Sequence, residues 1–144
     1  MGIGKSNNFN SNSTEYETPL EIFTPLESEF NLKMDVAASH KNAKCLFFYT
    51  KEMDAFTMPW NKNFWMNPPW GRDLKKWVKY AHEQVNIHKI IGVLLLPVRT
   101  NTQWWHKYII NAKQEVRFLK GEIKFNNMDR GLWLPVAIII MTSN

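Results

Sequence analysis

The chain has 144 residues, enough for one ordinary domain and too few for a separate recognition module beside it. Lys and Arg outnumber Asp and Glu by 18 to 13; the net charge of +5 favours acidic partners, nucleic acid first, and 44% apolar content excludes wholesale disorder. The single cysteine, Cys45, cannot close an internal disulfide, and no apolar run approaches the roughly 20 residues of a membrane span, so a soluble protein of a reducing cytoplasm is expected.

Residues 1–16 are rich in Asn and Ser and predict a flexible polar arm, leaving residues 17–144 as the single folded domain. Thr18-Pro19 is a helix-start signal, with Thr as N-cap and Pro at the first helical position; Leu20, Phe23, Leu26 and Phe30 then recur at helical spacing. Pro25 is placed to kink or split that helix. Residues 32–38 and 45–49 read as buried strands, residues 51–63 as a polar loop, and Phe64-Trp65-Met66 as a short strand stopped by Asn67-Pro68-Pro69. Helical spacing returns with Leu74, Trp77, Val78, Ala81 and Val85, over about residues 73–87. The aliphatic run 90–97 has the composition of a strand covered on both faces. A helix over 102–112, a strand over 115–119, a polar connection over 121–131 and a last strand over 134–141 complete the chain. The alternation implies an open α/β sheet of Rossmann type.

Ligands of such sheets collect outside the carboxyl ends of the strands, which directs attention to Asp35-Val36-Ala37-Ala38, Asn67-Pro68-Pro69-Trp70 and Pro97-Val98-Arg99-Thr100. The second tip is the most informative. A proline-locked turn straight after a strand fixes an Asn amide, the neighbouring carbonyls and an aromatic plane. That array suits methylation of an exocyclic amine whose lone pair is conjugated into a ring: the Asn67 oxygen and the Pro68 carbonyl each accept one N–H, and Trp70 stacks on the base. A turn that merely ends a strand is the bland alternative.

Further elements stand in order around this turn: Glu17-Thr18-Pro19, Glu29-Phe30, Met34-Asp35-Val36-Ala37-Ala38, Tyr49-Thr50-Lys51-Glu52, Trp65-Met66-Asn67-Pro68-Pro69-Trp70-Gly71-Arg72, Leu95-Leu96-Pro97-Val98-Arg99-Thr100, and Phe118-Leu119-Lys120-Gly121 with Ile123-Lys124-Phe125. With them the chain resembles the phage-type DNA N6-adenine methyltransferases, the phage Dam-like family, over residues 17–141. The resemblance implies an abbreviated Rossmann-like methyltransferase fold, mostly parallel, with helices on both faces. It also implies transfer of a methyl group from S-adenosylmethionine to a flipped-out adenine in double-stranded DNA, in a bacterial or phage-infected cell.

Catalysis then falls to Asn67, Pro68 and Trp70. Cofactor contacts are expected from Thr18, Pro19, Asp35, Ala37, Glu52, Asp54 and Asn67. Glu52 follows Asp35 by 17 residues, near the interval at which an acidic residue receives ribose hydroxyls; Asp54 competes for that role. Arg99 is placed to hold a DNA phosphate or to buttress the site through an ion pair, and Trp60 and Lys124 are candidate DNA contacts. The four histidines share no metal-ligand spacing, and no metal is expected. The residues alone also admit cytosine N4, RNA or protein glutamine as acceptor, or a catalytically silent DNA-binding protein of the same fold. They do not disclose an oligomeric state.

Two departures stand out. The Asp35 tip contains no glycine, and only 32 positions separate Asp35 from Asn67, too few for full crossover helices. The first half of the sheet is therefore expected to be abbreviated.

Overall fold

A computed structural model of the chain describes residues 16–144. Six strands form one sheet: β1 (Met34–Ala38), β2 (Phe47–Thr50), β3 (Phe64–Met66), β4 (Gly92–Pro97), β5 (Glu115–Phe118) and β6 (Val136–Met141). Their order is β2-β1-β3-β4-β6-β5; the first four run parallel, and β6 pairs antiparallel with both β4 and β5. Every residue of β3, β4 and β6 is buried, as their unbroken apolar sequences predict, whereas the edge strands β2 and β5 are partly exposed.

Helix α1 (Leu20–Phe30) precedes the sheet and α2 (Leu74–His88) joins β3 to β4. They lie on opposite faces. Phe23 of α1 packs edge-on against Trp65, while Trp60 packs against Phe64 on one side and Trp77 and Tyr80 of α2 on the other. Phe64 and Trp65 are successive strand residues and point to opposite faces. Among the described residues no helix is long and apolar enough to cross a membrane.

The abbreviation is visible in the connections. Residues 39–46 link β1 to its parallel neighbour β2 without a helix, and two 3-10 turns, Lys51–Met53 and Ala55–Thr57, begin the passage to β3. The β1–β2 register slips between Asp35 and Ala38, where three steps along β1 match two along β2. Such a bulge re-aims side chains at the end of a strand.

Several local expectations need correction. Helix α1 begins at Leu20, with Pro19 in the N-cap position and no side-chain cap, so Thr18 is not the cap; the Pro19 carbonyl takes the first helical N–H groups instead. Pro25 neither splits nor ends the helix, which runs on to Asn31 in the left-handed conformation. The helix expected over 102–112 is a single turn, α3 (Gln103–Trp105), running into a π-helical turn, His106–Ile110. The polar arm expected over residues 1–16 falls outside the described residues except for Tyr16, and Tyr16 is packed rather than free.

Polar clamps fix the base of the sheet. Asn63, just before β3, donates to the Phe30 carbonyl at 2.9 Å and accepts from the Ile91 N–H at 3.0 Å, joining the end of α1 to the start of β4. The buried Gln84 of α2 accepts the Trp60 N–H at 2.9 Å.

Candidate active site

A cavity of about 820 Å³ opens at the carboxyl ends of β1 and β3, where the strand order reverses. Thr18, Asp35, Ala37, Glu52, Asp54 and Asn67 all line it. Its size suits a small organic ligand or cofactor. Although the chain as a whole is basic, five carboxylates face this space, those of Glu17, Asp35, Glu52, Asp54 and Asp73, against Lys44, Lys51 and His40. A cationic ligand is favoured there.

Asn67 follows β3 directly, and the two prolines behind it hold the turn. Its Nδ2 donates to the Tyr16 carbonyl and, at 2.9 Å, to the Thr18 hydroxyl. A carbonyl can only accept, so the amide must present nitrogen to this side and oxygen to the other. That oxygen, Oδ1, is buried and has no hydrogen-bond partner among the described residues. A buried acceptor left open is costly, about 1–3 kcal/mol, and is a place for a ligand N–H.

Asp35 is 3% exposed. Burial pushes its carboxyl up to about 6, against the opposing pull of the main-chain N–H groups of Lys44 and Ala37. Those bonds measure 2.9 and 3.3 Å and fold the tip of β1 around the carboxylate, without a glycine. Burial, then the nearby Asp35 charge, raises the Cys45 thiol to about 12, which disfavours the thiolate. Glu52 and Asp54 are exposed at the cavity wall, and Asp54, in the left-handed conformation, accepts the Phe56 N–H at 3.3 Å.

The rings of Phe56 and Trp77, 4.6 Å apart, stand in the same wall as these acidic groups.

Comparison with known proteins decides the family. The family model DNA N-6-adenine-methyltransferase (Dam) matches residues 5–133. The chain belongs to that family. It is 34% identical over 130 residues to the DNA N-6-adenine-methyltransferase of Haemophilus phage HP1 (strain HP1c1), covering 88% of this chain and 75% of that protein. It is 35% identical over 103 residues to the DNA N-6-adenine-methyltransferase of Escherichia phage T1, covering 69% of this chain but only 42% of that longer protein.

Other residues singled out from the sequence lie elsewhere. Pro19 and Pro68 are buried beside the cavity rather than in its wall. Trp70 is 4% exposed and outside the lining, its ring packed on Tyr16 (centroids 4.7 Å apart) and Phe125 (5.8 Å), with a buried Nε1 that has no partner among the described residues. Packed in this way, the indole offers no exposed face to a base. Arg99 is half-buried and donates to the Trp70 carbonyl at 3.4 Å; it buttresses the proline turn through a carbonyl and, among the described residues, makes no ion pair. Trp60 is fully buried and donates from Nε1 to the Ala55 carbonyl, so it is a core residue and cannot meet DNA. Lys124 is exposed on the connection between β5 and β6.

Sequence reasoning missed Tyr16, Phe56 and Trp77 as site residues. Tyr16 sits at the end of a polar tract that hid it, and Trp77 shares the helical spacing of the core residues around it.

Proposed function

We propose that the protein transfers a methyl group from S-adenosylmethionine to the exocyclic amine of adenine in double-stranded DNA, on an abbreviated Rossmann-like methyltransferase fold. Besides the family, one observation carries this reading: the buried Oδ1 of Asn67 has no partner among the described residues, and Asn67, at the end of β3, lines one cavity with Asp35.

The amine of adenine is a weak nucleophile because its lone pair is shared with the ring. Accepting one N–H at Asn67 Oδ1 would favour a pyramidal nitrogen with its lone pair localised; the Pro68 carbonyl, buried beside the cavity, would take the other N–H only where the amine reaches past the cavity wall. Two prolines make the corner stiff, so the acceptors need no reorganisation when charge shifts, the condition under which a polar contact lowers a barrier most. S-adenosylmethionine, when bound, supplies an electrophilic methyl group on a sulfonium centre that departs as a neutral thioether, and the methylated amine gives up one proton to solvent. Asp35, Glu52 and Asp54 would hold its cationic and hydroxyl-bearing parts, with the β1 tip around Ala37 as the floor. Exposed Lys124, with Lys120 and Arg130 on the same connection, would meet DNA phosphates.

The test is chemical. Unmethylated duplex DNA is incubated with the full chain and S-adenosylmethionine, digested to nucleosides and analysed by mass spectrometry. N6-methyladenine is the expected product. N4-methylcytosine, or methyl transfer only to RNA or protein, would reassign the acceptor; DNA binding without any transfer would leave a silent binding protein.

A further inference from the structure

Thr18 is 2% exposed, yet its hydroxyl does not cap the helix that follows and, among the described residues, meets no charged group; it accepts the Asn67 Nδ2–H at 2.9 Å. The other hydrogen of that nitrogen goes to the Tyr16 carbonyl. Two acceptors two residues apart therefore grip both N–H groups of one carboxamide and leave only its oxygen for a ligand. The grip is itself held. The Glu17 carbonyl accepts the Asn126 N–H at 2.8 Å, and the Thr18 carbonyl accepts Asn126 Nδ2 at 3.4 Å, so the segment 16–18 is tied to the connection between β5 and β6.

We propose that Thr18 is a positioning residue for Asn67: the Tyr16 carbonyl, which admits only a donor, selects the nitrogen, and the Thr18 hydroxyl takes its second hydrogen and so holds the carboxamide in the rotation that leaves its oxygen for the acceptor amine. This rests on the reading of Asn67 given above. A carboxamide free to turn would present a donor to an N–H for part of the time, and a group held for one geometry loses rate rather than binding when its support is removed. Thr18 then acts through Asn67.

The experiment compares Thr18→Val, Thr18→Ser and Asn67→Ala in the full chain. Thr18→Val keeps the shape and removes the acceptor. It is expected to lower kcat by about 10- to 30-fold while the KM for DNA and the affinity for S-adenosylmethionine stay within about threefold. Thr18→Ser, which keeps the hydroxyl, restores kcat to within about threefold of the parent. The side-chain amide of Asn67, assigned by its loss in Asn67→Ala, is read by NMR without cofactor or DNA. Its two hydrogens are expected to exchange slowly in the parent and in Thr18→Ser, and one of them faster in Thr18→Val.

An unchanged kcat in Thr18→Val, or a loss confined to cofactor affinity, overturns the proposal. Should Thr18→Val fail to fold, fast exchange of the Asn67 amide in the parent and in Thr18→Ser overturns it equally. If Asn67→Ala is inactive while Thr18→Val is not, only the positioning role falls; if Asn67→Ala is fully active, the reading beneath it falls.

Discussion

The carboxylate of Asp35 accepts the main-chain N–H of Lys44 at 2.9 Å, across nine residues, and so ties the tip of β1 to the loop that leads into β2. One buried acid thus shapes the cavity floor that glycines shape in many nucleotide-binding sheets.

Its titration gives a first prediction. The folded protein holds the Asp35 proton up to about pH 6, whereas the unfolded chain releases it near 3.8. The folded state therefore binds more protons between these values. Stability from this group is fully present below about pH 4 and is lost as pH rises through 6, by about 3 kcal/mol at most. Melting curves of ligand-free protein from pH 4 to 7.5 should show this loss, and Asp35→Asn should lack it. Parallel pH profiles for the two proteins would contradict the assignment. Affinity for cationic S-adenosylmethionine should rise over the same window as Asp35 ionises.

Gly92 and Phe64 stand side by side in β4 and β3, and a Cβ added to Gly92 would meet Phe64 Cε1 at 2.8 Å. Phe64 is fully buried and cannot yield without disturbing Trp60. Gly92→Ala should destabilise the protein by about 1–3 kcal/mol in urea unfolding. The penalty should shrink when Phe64 is replaced by Leu, which removes the outer ring atoms that clash. Equal penalties in both backgrounds would show that the ring is not the obstacle.

Trp70 packs on Tyr16 and Phe125, so its removal opens a void. Trp70→Ala should cost about 3–5 kcal/mol, measured by denaturant unfolding. Trp70→Phe keeps a ring against both neighbours and deletes a buried N–H without a partner; it should cost less than about 2 kcal/mol and keep the methylation rate within about threefold. Equal losses of activity in both variants would give the indole a role beyond packing.

Strand β3 and the turn behind it were legible in the sequence because a short apolar run met two prolines, a stop that tertiary context cannot override. The gathering of Asp35, Glu52, Asp54 and Asn67 in one wall was likewise readable, since a parallel sheet brings its strand tips together. What escaped depended on contacts remote in sequence. Thr18-Pro19 carries the local signature of a helix cap, but the Thr18 hydroxyl turns to a partner 49 residues away. Trp60 lies in a polar stretch that suggests exposure, yet Phe64, Trp77 and Tyr80 close around it. The π-helical turn at His106–Ile110 has no periodic signal of its own.

The most direct test compares wild-type protein with Asn67→Ala in single-turnover methylation of adenine-containing duplex DNA, with cofactor affinity measured alongside. Losing the amide oxygen should slow transfer by about two orders of magnitude or more, while S-adenosylmethionine binding changes by only severalfold. Transfer at the wild-type rate, or a defect explained wholly by lost cofactor binding, would contradict the role assigned to that oxygen.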